Sequence, residues 1–266
     1  MNERMDTSEL FSLRGRTALI TGGSRGIGKM IAAGFVAQGA RVYISSRKAE
    51  ACRATAEALS RGGGECIALP MDVSTVEGAR ALSAAYTARE PRLDILVNNA
   101  GAAWLAGFDD FPEQGWDKVM DLNVKSPFFV TQALAPALRA AASPDRPAKV
   151  IQIASIDGIY LTPLDTFSYA ASKSALIQLT RIMAARLAKD HIVVSAIAPG
   201  AFASDMNIRA RDHAAETAAR VPVQRIGTPL DIAGAAIFLA SRAGDYVVGS
   251  VLTVDGGVAF ASSPVR

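Results

Sequence analysis

The chain has 266 residues, 50% hydrophobic and 20% charged, the proportions of a globular domain and not of a disordered, collagen-like or coiled-coil chain. Its 28 Lys and Arg against 25 Asp and Glu leave a net charge of +3, but the charges are interleaved, which excludes the clustered basic footprint of a nucleic-acid binder. Two cysteines and two histidines exclude a disulfide framework, a four-thiolate site and His-rich zinc chemistry, so no metal is expected. Residues 1–12 lack the apolar core of a signal peptide and read as a flexible N-terminus. No apolar run reaches the ~20 residues of a membrane span, and a cytoplasmic protein without membrane contact is expected.

In chain order, Thr17–Thr21 is a short apolar run ending in glycines, which predicts a buried strand. Helical periodicity follows over Ile27–Ala37 and stops at Gly39. Arg41–Ser45 is a second strand, and 49–61 a second helix closed by three glycines, Gly62 to Gly64. The alternation continues with strand Cys66–Leu69, helix 75–90, strand Asp94–Asn98, a long helical stretch over 113–141 and strand Lys149–Ala154. Helix 167–189, strand Ile192–Ile197, helix 229–241 and strand Val251–Val254 complete the pattern. Short apolar strands separated by helices require right-handed crossovers and a parallel sheet covered on both faces. The expectation is a doubly wound α/β (Rossmann) fold, with 1–266 a single domain. Residues 156–166 and 199–226 lack periodicity; loops after such strands line a ligand crevice, and 200–226 is long enough for a lid.

Thr21-Gly-Gly-Ser-Arg-Gly-Ile-Gly28 joins the first strand to the first helix. Gly22, Gly26 and Gly28 permit a tight turn whose backbone N–H groups approach a pyrophosphate at the helix N-terminus, with Ser24, Arg25 and Ile27 completing it. An acidic residue at the end of the second strand would bind the ribose 2′-hydroxyl of NAD. Here that place reads Ser45-Ser46-Arg47-Lys48. With Arg25, the guanidinium of Arg47 suits a 2′-phosphate, which favours NADP(H); a solvated Arg-Lys pair opening a helix is the plain alternative.

Ser155 ends the fifth strand, and Tyr169-Ala-Ala-Ser-Lys173 opens the helix that follows. Tyr169 and Lys173 share a helix face. A phenol reaches neutrality only with about 4 kcal/mol of preferential phenolate stabilisation. A lysine ammonium and an oxidised nicotinamide in a dry site are the sources expected for it.

These motifs resemble those of the short-chain dehydrogenase/reductase family over nearly all of the chain. The matches are Thr21-Gly-x-x-x-Gly-Ile-Gly28, Asp72-Val73, Asn98-Asn-Ala-Gly101, Asn123, Ser155, Tyr169-x-x-x-Lys173, Pro199-Gly200 and Asp255-Gly-Gly257. The resemblance implies that Tyr169 is the general acid and that Lys173 holds the nicotinamide ribose and lowers the tyrosine pKa. It further implies that Ser155 holds the carbonyl and that Asn123, at a helix break, anchors a relay water. Asp72 and Val73 are implied to contact the adenine, Asn99, Ala100 and Gly101 the adenosine ribose, and Pro199 and Gly200 the nicotinamide amide. Ser204 stands where the family often has threonine, which keeps the hydroxyl. Ser155 as a strand cap, Asn123 as a helix cap and Asn98-Asn99 as a simple turn are the structural alternatives. His191 and His213 read as structural or exposed, and Thr228-Pro229 as a helix start.

The loop from Ile156 to Leu161 and the segment 199–208 are expected to face the carbonyl. Their apolar side chains suit a neutral carbonyl compound, with Asp157 and Asp205 as the acids; Trp104, Phe108 and Phe111 either line the mouth or pack. Within the family the chain looks most like bacterial 3-oxoacyl-thioester reductases of the branch associated with rhamnolipid synthesis. That likeness implies NADPH, a substrate carried on acyl carrier protein or CoA, and a homotetramer or homodimer. A dehydrogenase of a polyol, sugar acid or steroid-like alcohol, and a non-catalytic NADP(H)-binding regulator, are the other readings.

Overall fold

The computed structural model describes residues 7–261; the first six residues of the expected flexible N-terminus lie outside them. The elements in order are β1 (Thr17–Thr21), α1 (Gly26–Ala37), β2 (Arg41–Ser45), α2 (Ala49–Ser60), β3 (Glu65–Ala68), α3 (Val76–Thr87) and β4 (Ile95–Asn98). They continue with α4 (Glu113–Met120), α5 (Ser126–Ala141), β5 (Ala148–Ile153), α6 (Phe167–Leu187), β6 (Ile192–Pro199), α7 (Ile208–Asp212), α8 (Ala214–Ala218), α9 (Pro229–Ala240) and β7 (Val251–Val254).

All strands pair in parallel in one seven-stranded sheet of order β3-β2-β1-β4-β5-β6-β7. The apolar strand runs predicted this, because a sheet covered by helices on both faces buries successive side chains in both directions. One core layer packs Ile20, Val42, Ile95 and Ile151 against Ile31, Phe35 and Ile232 of α1 and α9. The opposite layer packs Leu19, Tyr43, Leu96 and Val150 against Leu82, Leu134 and Met183 of α3, α5 and α6. The chain order reverses between β1 and β4, and the crevice at such a reversal is where ligands bind.

Several expected boundaries move. The stretch 113–141 is not one helix, since a π-helical turn over Asp121–Lys125 separates α4 from α5. Pro127 stands just after this turn, at the start of α5, and has no N–H to give the Asn123 carbonyl four residues before it. Helix α6 stops at Leu187, and a 3₁₀ turn, Ala188–Asp190, leads to His191 in the left-handed conformation at φ 56°. Strand β6 runs two residues further than predicted, to Pro199, because β7 pairs with its end. The described part of 1–12 is tied down: Ala243 N donates to Leu10 O at 3.3 Å, and Leu13 beyond it is fully buried. Among the described residues, no helix is long and apolar enough to cross a membrane.

Candidate active site

The carboxyl ends of β1 and β4 form one rigid floor. Thr21 Oγ1 accepts from the backbone N–H of Asn99 at 3.0 Å and of Ala100 at 3.1 Å. Asn99 Nδ2 donates to the Thr21 and Gly22 carbonyls at 2.9 and 3.1 Å. Gly22 sits at φ 66°, and a Cβ on Gly28 would lie 2.4 Å from both Asn99 Nδ2 and Gly22 O, so only glycine lets helix and turn close on this loop. Thr55 of α2 donates to the Ser24 carbonyl at 2.9 Å and holds the turn from below. Thr21 was not singled out from the sequence; its place directly before the glycines is the signal that marks it.

The N-terminus of α1 is open. Arg25 at its N-cap makes no capping bond, and the first turn contains no acidic side chain. The amides of Gly26, Ile27 and Gly28 therefore remain available to an anion, as a dinucleotide pyrophosphate requires.

The basic residues meet partners that sequence inspection did not anticipate. Arg47 lies 4.0 Å from Asp72, and Arg25 pairs at 2.8 Å with Asp205, which also pairs at 3.1 Å with Arg211. The reading of two cations without an acid holds locally and fails in space, because both carboxylates arrive from distant segments. Arg25 holds the Asp205 carboxyl below the usual carboxylate range. All four of these side chains are half-exposed, so the pairs are weak and leave both guanidinium groups open to a phosphate. Ser46 Oγ donates to its local Lys48 carbonyl at 3.4 Å. Asp72 accepts from Ser74 N at 3.0 Å, and Val73 is buried in the core. The open helix terminus and the two rim guanidiniums together fit a dinucleotide bearing a 2′-phosphate.

Further along the cleft, Ser155, Tyr169, Lys173 and Asn123 converge. Ser155 follows β5 and caps a 3₁₀ turn, Ile156–Gly158, by accepting from Asp157 N at 3.2 Å. Its hydroxyl also hydrogen-bonds the Tyr169 phenol, which favours the phenolate. Burial outweighs that bond and Asp157 opposes it, so the phenol is pushed up to about 12. Lys173, one turn further along α6, donates to Ile153 O at 2.7 Å and lies 5.5 Å from the Tyr169 ring centroid. Burial lowers its ammonium to about 8, against a raising effect from Asp157. The lowering of the tyrosine pKa expected from Lys173 is thus not a property of the chain alone, because desolvation dominates both groups.

Asn123 is fully buried in the π-helical turn. Its Oδ1 accepts from Ala102 N at 2.8 Å, and its Nδ2 donates to Ala102 O and Ser172 Oγ at 2.9 Å each. These bonds tie the π-helical turn to the loop after β4 and to α6. Ser172, inside the Tyr-to-Lys segment, is a further residue that the spacing alone did not identify.

Pro199 ends β6, and Gly200 N donates to Val254 O at 3.0 Å, which fixes the turn against β7. Ser204 Oγ accepts from Asn207 N at 3.1 Å and organises the start of segment 200–226. That segment contains α7 and α8. Phe108 and Phe111 stack edge-to-face on Phe167 at 5.7 and 5.8 Å, and Ala106 N donates to Asp165 O at 3.3 Å. They join the loops on either side of the cleft. Trp104 instead packs on Gly115 and under Lys118 Nζ.

Known proteins are similar to this chain in sequence and in fold. Residues 22–259 match the family model described as Enoyl-(Acyl carrier protein) reductase. The rhamnolipids biosynthesis 3-oxoacyl-(acyl-carrier-protein) reductase of Pseudomonas aeruginosa is 50% identical over 93% of this chain and 97% of its own. The 2-dehydro-3-deoxy-D-gluconate 5-dehydrogenase of Dickeya dadantii is 39% identical over 93% and 96%. The Pseudomonas aeruginosa RhlG/NADP active-site complex superposes with a TM-score of 0.92 at 47% identity, covering 94% of this chain and 99% of that one. With the sheet order, the glycine turn and the Ser155, Tyr169 and Lys173 cluster, these likenesses show that the chain belongs to the short-chain dehydrogenase/reductase family and is an oxidoreductase of that fold.

Proposed function

We propose that the protein is an NADPH-dependent reductase that converts the ketone of a 3-oxoacyl thioester to a 3-hydroxyacyl product. The observation that carries this reading is the Ser155–Tyr169–Lys173 cluster at the reversal of the sheet, beside an uncapped α1 flanked by Arg25 and Arg47. The substrate class is supported by the 50% identity to a protein described as a 3-oxoacyl reductase.

When bound, the cofactor supplies the hydride that reduces the carbonyl carbon. Backbone amides of Gly22, Gly26, Ile27 and Gly28 with Ser24 hold its pyrophosphate, and Arg25, Ser46 and Arg47 face the 2′-phosphate. Asp72 and Val73 bind the adenine end, Asn99, Ala100 and Gly101 the adenosine ribose, and Pro199, Gly200 and Ser204 the nicotinamide end. Ser155 orients the substrate carbonyl, and the Tyr169 phenol gives its proton to the carbonyl oxygen. Lys173 binds the nicotinamide ribose and feeds the proton path, which leaves past the Asn123 carbonyl. A phenol at about 12 is fully protonated at neutral pH, the form that the reductive direction needs.

Leu105, Phe108, Leu161 and Leu164 form an exposed apolar rim on the loops joined across the cleft, which supports an acyl chain as the group bound there. Residues 200–226 act as a lid over it. A sugar-acid dehydrogenase is the second reading, supported by the 39% relative, and the apolar rim weighs against it. The enzyme works in the cytoplasm as a homotetramer on substrates carried by acyl carrier protein or CoA.

The test is NADPH and NADH oxidation with an acetoacetyl thioester, a longer 3-oxoacyl thioester, a diketone and a keto-sugar acid. Turnover of the thioesters with NADPH preferred is expected. Turnover of the sugar acid alone would transfer the same residues to the second reading.

A further inference from the structure

Asp205 belongs to none of the motifs that define the site, yet the fold sets it on the glycine turn. The chain beyond the Pro199-Gly200 turn returns over the start of α1, so closely that a Cβ on Gly26 would lie 3.4 Å from the Cβ of Ser204. The next residue, Asp205, is divided between two cations. Its Oδ2 accepts from Arg25 Nη1 at 2.8 Å, and its Oδ1 accepts from Arg211 Nη1 of α7 at 3.1 Å. Arg211 is also engaged by Asp212, through Nε at 2.7 Å and Nη2 at 3.0 Å. Arg25 has no second carboxylate: among the described residues, Asp205 is its one ion-pair partner.

We propose that Asp205 is a specificity-determining positioning residue, which occupies the Arg25 guanidinium until the 2′-phosphate of a cofactor takes it. The proposal rests on the reading of Arg25 as a ligand of that phosphate. A guanidinium edge bonded to a carboxylate has to be released, or shared between two anions, when a phosphate approaches. Only a phosphorylated cofactor meets that cost. NADH presents a ribose hydroxyl in the same place and leaves the Arg25–Asp205 pair intact. Asp205 thus weakens NADPH selectively and narrows the preference between the two cofactors. Arg47, the other rim guanidinium, lies 4.0 Å from Asp72, beyond hydrogen-bond distance, so the competition is concentrated at Arg25. The Arg25 and Asp205 side chains are 68% and 52% exposed, which sets the effect at the scale of a surface ion pair and makes it sensitive to salt.

The test is Asp205→Asn, an exposed substitution that keeps the side-chain size and removes the charge, with NADPH and NADH titrated by fluorescence at low salt. NADPH is expected to bind about two- to fivefold tighter than it does to the native protein, with NADH unchanged. In about 1 M salt the gain is expected to disappear. Arg25→Ala is expected to weaken NADPH, and in that background Asp205→Asn is expected to move neither cofactor. NADPH binding that is unchanged or weaker in Asp205→Asn, while Arg25→Ala does weaken it, overturns the proposal and leaves Arg25 as a phosphate ligand. An equal gain for both cofactors, or a gain that survives in the Arg25→Ala background, also overturns it, since Asp205 would then act as a general negative charge. NADPH binding indifferent to Arg25→Ala overturns the reading of Arg25 and the proposal with it. The titrations need no substrate, so failure of the thioester assignment leaves their result interpretable.

Discussion

Tyr169 and Lys173 are both displaced by burial, in directions that disfavour their charged forms. The phenol rises to about 12 and the ammonium falls to about 8. A positioned general acid contributes about 10²- to 10⁴-fold, so Tyr169→Phe is expected to lose turnover on that scale while binding NADPH as tightly as before. Stopped-flow turnover and a fluorescence titration separate the two quantities. Lys173 also has a stability signature. Its folded pKa of about 8 lies below the ordinary lysine value of 10.5, so the unfolded chain binds the extra proton between about 8 and 10.5, and native stability rises with pH across that window. Lys173→Met removes a cost of about 3 kcal/mol at neutral pH, against which the lost bond to the Ile153 carbonyl is set. Denaturant titrations are expected to show the variant gaining most relative to native below pH 8, and the difference narrowing toward pH 10.5. A constant difference would mean that the lysine is not desolvated.

At the scale of elements, two contacts have testable consequences, one for the site and one for the stability of the sheet. The first is the closure of α1 on the β4 loop through Gly28. Gly28→Ala places a methyl against Asn99 and the Gly22 carbonyl, and overpacking of this kind costs about 1–3 kcal/mol. It is expected to weaken NADPH at least about tenfold in a fluorescence titration, because the displaced turn carries the amides. The second contact ties β5 to the segment after α9. Lys149 of β5 is 1% exposed, and its ammonium lies 2.7 Å from Asp245 Oδ1. Asp245→Ala leaves that charge buried without a partner and is expected to cost about 3 kcal/mol of unfolding free energy in urea. Combining it with Lys149→Met is expected to recover most of the loss.

Across the whole molecule, the helices that shield the sheet leave apolar side chains facing outward. Trp116 on α4, Phe128 on α5 and Ile182 on α6 are exposed, as is Tyr246 just before β7. Such faces suit the proposed homotetramer, and light scattering is expected to return four times the chain mass at micromolar concentration; a monomer would refute the assembly. The order of strands and helices was readable from the sequence because a parallel sheet buried on both faces demands continuous apolar runs, and the glycines of residues 22–28 mark the turn at its first strand. Tyr169 and Lys173 were readable as one helix face because a fixed helical spacing places them there. The pairing of Arg25 with Asp205 and of Arg47 with Asp72 was not, since each joins segments separated in sequence that meet only in the folded chain. Nor were the directions of the Tyr169 and Lys173 titrations, because desolvation depends on what the fold packs around a group and not on its neighbours in the chain. Local spacing and hydrophobic periodicity therefore determined the architecture and placed the candidate site residues along the chain. Only the tertiary structure decided their charge states and partners, because burial and electrostatic contact are properties of three-dimensional proximity.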